Sequence, residues 1–303
     1  MNLRRYGIVP TPVVRLDEVA PEGIALYAKC EWHLPTGSVK DRIAAAMVDS
    51  AGLRPGDRVL EPSSGNTGIA LARLAALGGF QLSVMVPDNV SRERIDLLGA
   101  YGAEIIYSPG AEGSNGAVRR SEELARSGGY LMLHQYENPA NPGAHELTTG
   151  PEIVEQVGHV DAFVATLGTG GTLMGVGAVL KREFGTRVIA AEPPAGELIS
   201  GLRSLDDGYV PPVFDPGRID GKLLVRTEQS IEMARRLLAE EGLFVGPSSG
   251  AAVHAAVKVA SGLPAGSVVV TLLPDAGWKY LSTGIFAGSP ETAADRVEGV
   301  TLW

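Results

Sequence analysis

The sequence predicts an α/β protein in which parallel sheets are covered by helices. Short apolar, strand-like runs alternate with longer helix-like runs along most of the chain. Strict alternation is typical of parallel sheets, because each crossover between parallel strands needs a connection about as long as a helix. The 303 residues are 45% hydrophobic and include 39 glycines, which is enough to bury a core and suits an enzyme with several tight loops.

The elements of the first half are predicted from apolar runs bounded by glycine, proline and serine. The helix over 91–101 is predicted to begin at the N-cap Ser91. We expect strands over 24–29, 58–60, 82–86, 104–107 and 130–134, and helices over 38–50, 69–77, 91–101 and 116–126.

The second half repeats the alternation. Segment 193–224 is rich in Gly, Pro and Asp, and predicts a long loop with one short helix. Segment 135–150, rich in Asn, Pro and Gly, is the predicted seam between two domains. We expect strands over 160–167, 187–192, 243–245 and 267–273, and helices over 172–184, 228–240 and 251–261.

Composition excludes several classes of partner. The net charge of −9 argues against nucleic acid. Cys30 is the single cysteine, so there is no disulfide framework, and this fits a reducing compartment. The five histidines do not pair at metal-ligand spacing, so we expect no metal site. We expect neither a signal peptide nor a membrane span, and therefore a cytoplasmic protein.

The segment 35–42 places a lysine at the start of a predicted helix. Ser38 is the predicted N-cap, and Asp41 stands at capping-box spacing from it. Lys40 would then lie in the first helical turn, where the positive helix end disfavours its charge. A neutral lysine amine is the form that makes a Schiff base with an aldehyde cofactor. The alternative is a surface lysine beside an ordinary capping box.

The loop Gly168-Thr169-Gly170-Gly171-Thr172 follows an apolar strand and precedes a helix. Its glycines let backbone N–H groups approach an anion, and its threonines add hydroxyl donors. This pattern predicts a phosphate site. The dinucleotide fingerprint fits badly, because Leu173 stands where the third glycine is needed, although Glu192 at the next strand end keeps that alternative open. A glycine-rich turn without a ligand is the other alternative.

Two further loops lie at predicted strand ends. Segment 63–67, Ser-Ser-Gly-Asn-Thr, offers hydroxyl and amide donors for a carboxylate, or caps for a helix start. Segment 246–250, Gly-Pro-Ser-Ser-Gly, matches the nucleophile elbow of serine hydrolases. That fold needs an Asp and then a His downstream, but the last histidine, His254, precedes Asp275, so the hydrolase is disfavoured. A P-loop over 217–222 fails on spacing.

Five segments taken together carry a resemblance to a known family. They are P-T-G-S-V-K-D-R at 35–42, E-P-S-S-G-N-T-G at 61–68, G-T-G-G-T at 168–172, G-P-S-S-G-A at 246–251 and L-P-D-A-G-W-K-Y-L-S-T at 273–283. The chain resembles the cysteine synthase family of fold-type II pyridoxal-phosphate enzymes, which are similar to the tryptophan synthase β subunit. The resemblance implies two open parallel-sheet domains with the active site between them. It places the smaller, mobile domain at 36–137 and the larger at 1–35 plus 138–303.

The resemblance also implies roles for individual residues. Lys40 would hold pyridoxal 5'-phosphate as a Schiff base and then act as general base at the substrate α-carbon. Asn66 would bond the cofactor ring hydroxyl, and Ser248 its pyridine nitrogen. A neutral serine there weakens the electron sink, which suits β-elimination through an α-aminoacrylate. The cofactor phosphate would lie on Gly168, Thr169, Gly170, Gly171 and Thr172, and the substrate carboxylate on Ser63, Ser64, Asn66, Thr67 and Gln135.

Within the family, several segments look most like the actinobacterial cysteine synthase B branch, the O-phosphoserine sulfhydrylases. They are 113–115, 135–141, 275–279 and the tail ending at Trp303. That branch takes sulfur from a small carrier protein with a C-terminal thiocarboxylate, and an arginine in the long loop binds the substrate phosphate. Lys222 is expected at that position here. A homodimer is expected from the resemblance, and the tail is expected to help cover the site.

Other functions remain open on the sequence. The resemblance also covers O-acetylserine sulfhydrylases that use free sulfide, cystathionine β-synthases and serine or threonine dehydratases. A non-catalytic nucleotide-binding protein using the loop at 168–172 belongs to a different class, and a visible absorbance spectrum separates it from a pyridoxal-phosphate enzyme.

Overall fold

The computed structural model describes residues 3–63, 65–90 and 92–298. The strands in these ranges are β1 (Val13–Leu16), β2 (Ala25–Cys30), β3 (Arg58–Glu61), β4 (Gln81–Pro87), β5 (Glu104–Ser108), β6 (Ala162–Thr166), β7 (Arg187–Glu192), β8 (Gly221–Leu224) and β9 (Val268–Leu273). The α-helices are α1 (Lys40–Ala51), α2 (Asn66–Gly78), α3 (Arg92–Ala100), α4 (Gly113–Gly128), α5 (Ala140–Leu147), α6 (Thr149–Val157), α7 (Gly171–Phe184), α8 (Thr227–Glu240), α9 (Pro247–Ala260) and α10 (Pro290–Glu298).

The strands form two sheets. The larger has the order β1-β2-β9-β6-β7-β8, and the smaller has the order β3-β4-β5. All neighbouring strands are parallel except β1, which pairs antiparallel with β2 in the register Val13 to Lys29. The predicted α/β class with parallel sheets is confirmed. The strands of the smaller sheet lie inside the range 36–137, and the domain boundaries themselves stay a prediction.

Separate hydrophobic cores cover the two sheets. Around the smaller sheet, one core packs α1 and α2 on one face, with Ile43, Met47 and Leu71 among its buried side chains. The two faces of the larger sheet carry two more cores, one including α8 and α9 and the other including α7. Helix α5 packs against both α1 and α7, and therefore lies where the two sheets meet.

Two predicted strands are single bridges instead. Segment 130–134 pairs with β3 only at Leu131, and the chain turns away at His134, whose φ is +52°. Segment 243–245 forms one bridge, between Val245 and Ala276. Both predictions were wrong because a short apolar run shows burial but not whether a partner strand continues beside it.

Helix starts differ from the predictions by a few residues. Helix α1 begins at Lys40 with Val39 as N-cap, so Ser38 is not the cap, and its Oγ has no hydrogen-bond partner among the described residues. Asp41 instead accepts hydrogen bonds from the Thr36 N–H and hydroxyl, each at 2.9 Å. Ser38 is held extended by its bridge to Asp275, which is the physical reason that the predicted capping box does not form. The predicted cap Ser91 lies outside the described residues.

Several elements were not predicted. The predicted seam at 135–150 contains α5 and the start of α6, and the predicted long loop at 193–224 ends in β8. Strand β1 and helix α10 were also missed. Helices α2, α7 and α9 begin earlier than predicted, at Asn66, Gly171 and Pro247. In the described ranges, no helix combines the length and apolar character required to cross a membrane.

Candidate active site

A cavity lies between the two sheets, at the carboxyl ends of their strands, where ligands bind in open parallel sheets. It brings together most of the residues that the sequence singled out. Those lining it are Lys40, Ser63, Asn66, Thr67, Gln135, Gly168, Thr169, Gly170, Gly171, Thr172 and Ser248. Ser64 lies outside the described residues, and Lys222 is absent from the lining.

Lys40 is the first residue of α1 and is partly buried in the cavity wall. Burial lowers the pKa of its amine to about 8, while the nearby charge of Asp275 acts in the opposite direction. The N-terminal end of α1 also disfavours a cation there. An amine with a depressed pKa has a larger neutral fraction at physiological pH, and the neutral amine is the nucleophile that forms a Schiff base.

Two glycines of the loop 168–172 are required by close packing against neighbouring side chains. Gly170 has φ +85°, in the left-handed region, and an added Cβ there would lie 2.7 Å from the Phe214 side chain. At Gly171, which begins the 14-residue α7, an added Cβ would lie 1.8 Å from Asn141 Oδ1. The loop leads into the N-terminus of α7, and the free backbone N–H groups of a helix N-terminus form a general anion site.

Helix α5 supports this loop from behind. Asn141 Nδ2 donates to Thr169 Oγ1 at 2.9 Å and to the Gln135 carbonyl at 2.7 Å. The His145 imidazole lies with Nδ1 2.9 Å from Thr149 Oγ1 and Nε2 3.3 Å from Thr172 Oγ1. Burial, together with the positive charges of Arg42 and Lys40, lowers the pKa of His145 well below its usual range, so the ring is neutral.

The loop after β3 is held by its own polar groups. Ser63 Oγ accepts from the Gly68 N–H at 3.2 Å, and Thr67 Oγ1 donates to Gln135 Oε1 at 2.8 Å. At the start of α2, the Asn66 side chain contacts Asp275 and Lys279. These hydroxyl and amide groups carry no net charge, and such groups can hold a carboxylate at the end of a helix.

Ser248 is the second residue of α9 and is buried at the cavity wall. Pro247 occupies the first helical position, where its missing N–H costs nothing. The predicted helix start at Ala251 was therefore wrong, and Ser248 lies inside the first turn rather than in a loop. A hydroxyl there can donate or accept one hydrogen bond and brings no charge.

The structure does not bring Lys222 to the cavity. Lys222 lies on β8, and its Nζ is 2.8 Å from Glu192 Oε1 and 3.0 Å from Asp206 Oδ1. These two carboxylates raise the pKa of Lys222. A lysine already neutralised by two carboxylates is a poor candidate for a substrate phosphate.

Two arginines that the sequence analysis missed do line the cavity. The Arg203 guanidinium lies 4.7 Å from the Tyr136 ring centroid and 5.3 Å from that of Tyr209. Arg94 Nη2 donates to Ser200 Oγ at 3.3 Å, whereas its buried Nη1 has no hydrogen-bond partner among the described residues. Arg203 lies inside the loop expected to carry a phosphate-binding arginine, so the composition of that loop was the signal that could have found it.

The residues present fit pyridoxal phosphate. A lysine amine of low pKa, an anion-binding loop at a helix start and a buried neutral hydroxyl share one cavity. These are the groups that an aldehyde, a phosphate and a pyridine nitrogen require. The fold and the site thus define a pyridoxal-phosphate enzyme with its cofactor between two parallel sheets.

Comparison with known proteins gives the family. Residues 4–275 match the model of the family described as pyridoxal-phosphate dependent enzyme. A cysteine synthase of Staphylococcus aureus is 44% identical over 292 residues, covering 91% of this chain and 94% of its own. The chain therefore belongs to the cysteine synthase family of pyridoxal-phosphate-dependent enzymes.

Solved structures agree with this assignment. The crystal structure of an O-ureido-L-serine synthase matches with a TM-score of 0.86 at 40% identity, covering 93% of this chain and 95% of that one. A cysteine synthase (OASS) from Entamoeba histolytica matches with a TM-score of 0.87 at 32% identity, covering 98% and 95%. The predicted fold type II and the predicted pyridoxal-phosphate cofactor are confirmed.

Proposed function

We propose that this enzyme makes L-cysteine by β-replacement on O-phospho-L-serine. The observation that carries the proposal is the charge of the cavity lining. Among the described residues that line it, Lys40, Arg94 and Arg203 are basic and none is acidic. The cofactor phosphate is accounted for by the amides of 168–172, and the substrate carboxylate by the loop at 63–67. Arg94 and Arg203 add two guanidinium groups to the lining of the same cavity, and a guanidinium group can bind the phosphate that departs from the substrate.

The roles of the chain's own groups follow from their positions. Bound pyridoxal phosphate supplies electron withdrawal from the substrate α-carbon. Lys40 would hold the cofactor through its amine and would take the substrate α-proton on Nζ. Ser63, Thr67 and Gln135, with Ser64 and the backbone of Asn66, hold the carboxylate. Arg203 and Arg94 hold the leaving phosphate while the sulfur donor reaches the β-carbon.

Ser248 has a different task. It would be a neutral partner for the pyridine nitrogen of the cofactor, and it would not hold a proton there as a carboxylate would. Asn66 would hold the ring hydroxyl of the cofactor. Movement of residues 36–137 as a unit over the cleft would exclude water during the replacement. The sulfur source is sulfide or a small carrier protein with a C-terminal thiocarboxylate, and the enzyme acts as a homodimer in the cytoplasm.

A second candidate is an O-acetylserine sulfhydrylase that uses free sulfide. The similarity to the Entamoeba histolytica enzyme, whose name includes OASS, favours it. An acetyl ester carries no charge, so this substrate would leave the buried Arg94 Nη1 without a partner.

The test compares the two substrates. We expect kcat/KM for O-phosphoserine to exceed that for O-acetylserine, with sulfide as the common donor. Arg203→Met should lower kcat/KM for O-phosphoserine by about tenfold or more, because a charge-assisted hydrogen bond is lost. The same variant should change kcat/KM for O-acetylserine by less than about twofold, because that ester brings no anion to pair.

Lys222→Met is the matched control, because it also removes one cation from the same long segment. It should leave the ratio of the two kcat/KM values unchanged, since Lys222 pairs with Glu192 and Asp206. If kcat/KM for O-phosphoserine falls selectively in Lys222→Met and not in Arg203→Met, Lys222 rather than Arg203 binds the substrate phosphate. Equal losses on both substrates in Arg203→Met would remove O-phosphoserine as the proposed substrate. Supplying the thiocarboxylated carrier in place of sulfide tests the donor separately.

A further inference from the structure

The segment 274–276, directly after β9, forms backbone hydrogen bonds with the two chain segments that lead into Lys40 and Ser248. The Val39 N–H donates to the Pro274 carbonyl at 2.8 Å, one residue before Lys40. The Gly246 N–H donates to the Asp275 carbonyl at 3.1 Å, two residues before Ser248. This segment belongs to the motif at 273–283, to which neither the sequence nor the proposed mechanism gives a role.

The Asp275 side chain reaches a third element of the site. Its Oδ2 accepts from Asn66 Nδ2 at 2.7 Å and from the Tyr280 hydroxyl at 2.7 Å. Asp275 is 1% exposed, so these hydrogen bonds are shielded from water. Asn66 begins α2 next to the smaller sheet, whereas Asp275 follows the central strand of the larger sheet. The pair therefore joins the two sides of the cavity.

Lys279 completes the arrangement. Its Nζ donates to Asn66 Oδ1 at 2.7 Å. Burial lowers the pKa of Lys279, while the charges of Asp275 and Asp41 act in the opposite direction. The Asn66 amide is thus engaged at both ends, by a lysine at its oxygen and by a carboxylate at its nitrogen.

The chemistry of these two partners leaves one orientation of the amide. A lysine amine in its charged form has donors and no acceptor, so it selects the oxygen of Asn66. An ionised carboxylate has acceptors and no donor, so Asp275 selects the nitrogen. Rotation of the amide by half a turn would oppose donor to donor and acceptor to acceptor. One N–H of Nδ2 is not used by Asp275 and remains for a ligand.

We propose that Asp275 and Lys279 are positioning residues that fix the Asn66 amide, so that one N–H of Asn66 Nδ2 is kept for the ring hydroxyl of the cofactor. The proposal rests on the proposed function, which takes Asn66 as the neighbour of that hydroxyl. It gives the motif at 273–283 a role: its backbone places the segments of Lys40 and Ser248, and its side chains orient Asn66.

The test uses purified holoenzyme and two measurements other than turnover. They are the dissociation constant of pyridoxal phosphate and the pH at which the visible band of the bound cofactor changes. Lys279→Met should weaken cofactor binding by about tenfold, the scale of a hydrogen bond from a charged group. It should also move the spectral midpoint to higher pH, because N–H donation favours the ionised ring oxygen. Lys279→Arg keeps a charged donor and should restore both values toward wild type.

Asp275→Asn provides an independent variant. Its carboxamide can pair with either end of the Asn66 amide, so the orientation is no longer selected. We expect both measurements to shift in the same direction as in Lys279→Met. Lys181→Met is the matched control, because it removes a lysine that pairs with Asp220 at 2.7 Å and is not among the residues that line the cavity. It should leave the cofactor affinity and the spectral midpoint unchanged.

Asn66→Ala separates this inference from the proposed function. If Asn66→Ala weakens cofactor binding and Lys279→Met matches Lys181→Met, the positioning role is overturned and the Asn66 contact survives. If Asn66→Ala changes neither measurement, the Asn66 contact in the proposed function is overturned together with the inference. A loss of thermal stability in Lys279→Met without any change in the cofactor would show a purely structural link, and would also overturn the positioning role.

Discussion

Glu61 is a carboxylic acid buried at the carboxyl end of β3, one residue before the loop that lines the cavity. Its side chain is 1% exposed, and Oε2 has no hydrogen-bond partner among the described residues. Burial raises the pKa of Glu61 to about 8, against a small opposing effect of a hydrogen bond from the Leu133 backbone. Glu61 is therefore mostly protonated at neutral pH.

This burial predicts a pH-dependent stability. The unfolded side chain ionises near 4.5 and the folded one near 8. Below pH 4.5 the neutral carboxyl makes its full contribution to the free energy of unfolding. This contribution falls as the pH rises from 4.5 and is lost as the pH passes through about 8, because the unfolded chain releases its proton first. Glu61→Gln has no carboxyl group to ionise, so this loss does not occur in the variant. Between pH 4.5 and pH 8, its free energy of unfolding should rise relative to that of the wild type by a few kcal/mol.

Urea unfolding of the two proteins at several pH values measures this difference. The surface substitution Glu183→Gln is the control and should follow the wild-type pH dependence. A difference between Glu61→Gln and wild type that stays constant from pH 5 to pH 9 would contradict the pKa of Glu61.

Individual residues also show where sequence reasoning succeeds. The placement of Lys40 at a helix start was right although the cap was wrong, because a turn followed by an alanine-rich run limits the start to a few residues. Lys222 and Arg203 show the opposite case. Both lie in a segment without periodicity, and only the folded path of the chain decides which cation faces the cavity. The pKa of Lys40 likewise depends on burial, which one segment alone does not specify.

At the scale of elements, α5 is the clearest omission. The sequence of this region is rich in Asn, Pro and Gly, and its helix has only eight residues. Its propensity is weak, and packing between α1 and α7 stabilises it instead. Asn141 and His145 are four residues apart and lie on one face of α5, and that face supports the loop 168–172.

This support predicts an effect confined to the phosphate of the cofactor. His145→Leu removes the contact with Thr172 Oγ1 and should weaken pyridoxal phosphate binding by roughly three- to tenfold. Binding of pyridoxal, which lacks the phosphate, should be nearly unchanged. Fluorescence titration of the apoenzyme with the two compounds measures both constants.

The neighbouring substitution Glu146→Gln lies on the exposed face of α5 and serves as the control for that titration. Equal weakening of the binding of both compounds in His145→Leu would show that α5 affects the whole cavity rather than the loop 168–172 alone.

At the scale of the whole molecule, a buried charge network ties α1 to the larger sheet. Arg42 is fully buried and pairs with Glu31 Oε2 at 2.6 Å and with Glu152 Oε1 at 2.6 Å. Lys29 in β2 pairs with Glu152 Oε2 at 2.7 Å and donates to the Thr11 carbonyl at 2.6 Å. Because Lys40 lies two residues before Arg42, the same network fixes the helix that carries Lys40.

Arg42→Met should be strongly destabilising, since it leaves two buried carboxylates without their main partner. We expect a loss of about 3–5 kcal/mol in the free energy of unfolding. Arg236→Met breaks an exposed pair with Glu240 at 2.8 Å and should cost less than about 1 kcal/mol. Chemical unfolding of both variants measures the difference, and similar losses in the two would show that the buried network adds no more than a surface pair.

The alternation of strands and helices was predictable because parallel strands buried on both faces read as continuous apolar runs, as in 162–166 and 268–273. The order of the strands in the sheet was not predictable. Strands β2, β6 and β9 all have such apolar runs, and the local sequence does not show which of them are neighbours. The antiparallel edge strand β1 was missed for a similar reason. Its four residues have too little alternation to distinguish them from a loop.

The position of β9 in the larger sheet affects how the protein can be synthesised. This strand occupies residues 268–273, near the carboxyl terminus, yet it lies between β2 and β6. The smaller sheet, complete by residue 108, can form while the ribosome is still translating. A nascent chain shorter than 268 residues holds two unpaired apolar strand edges instead, and such edges are templates for aggregation. Chaperone protection during late translation, and intolerance of premature stop codons, follow from this order of strands.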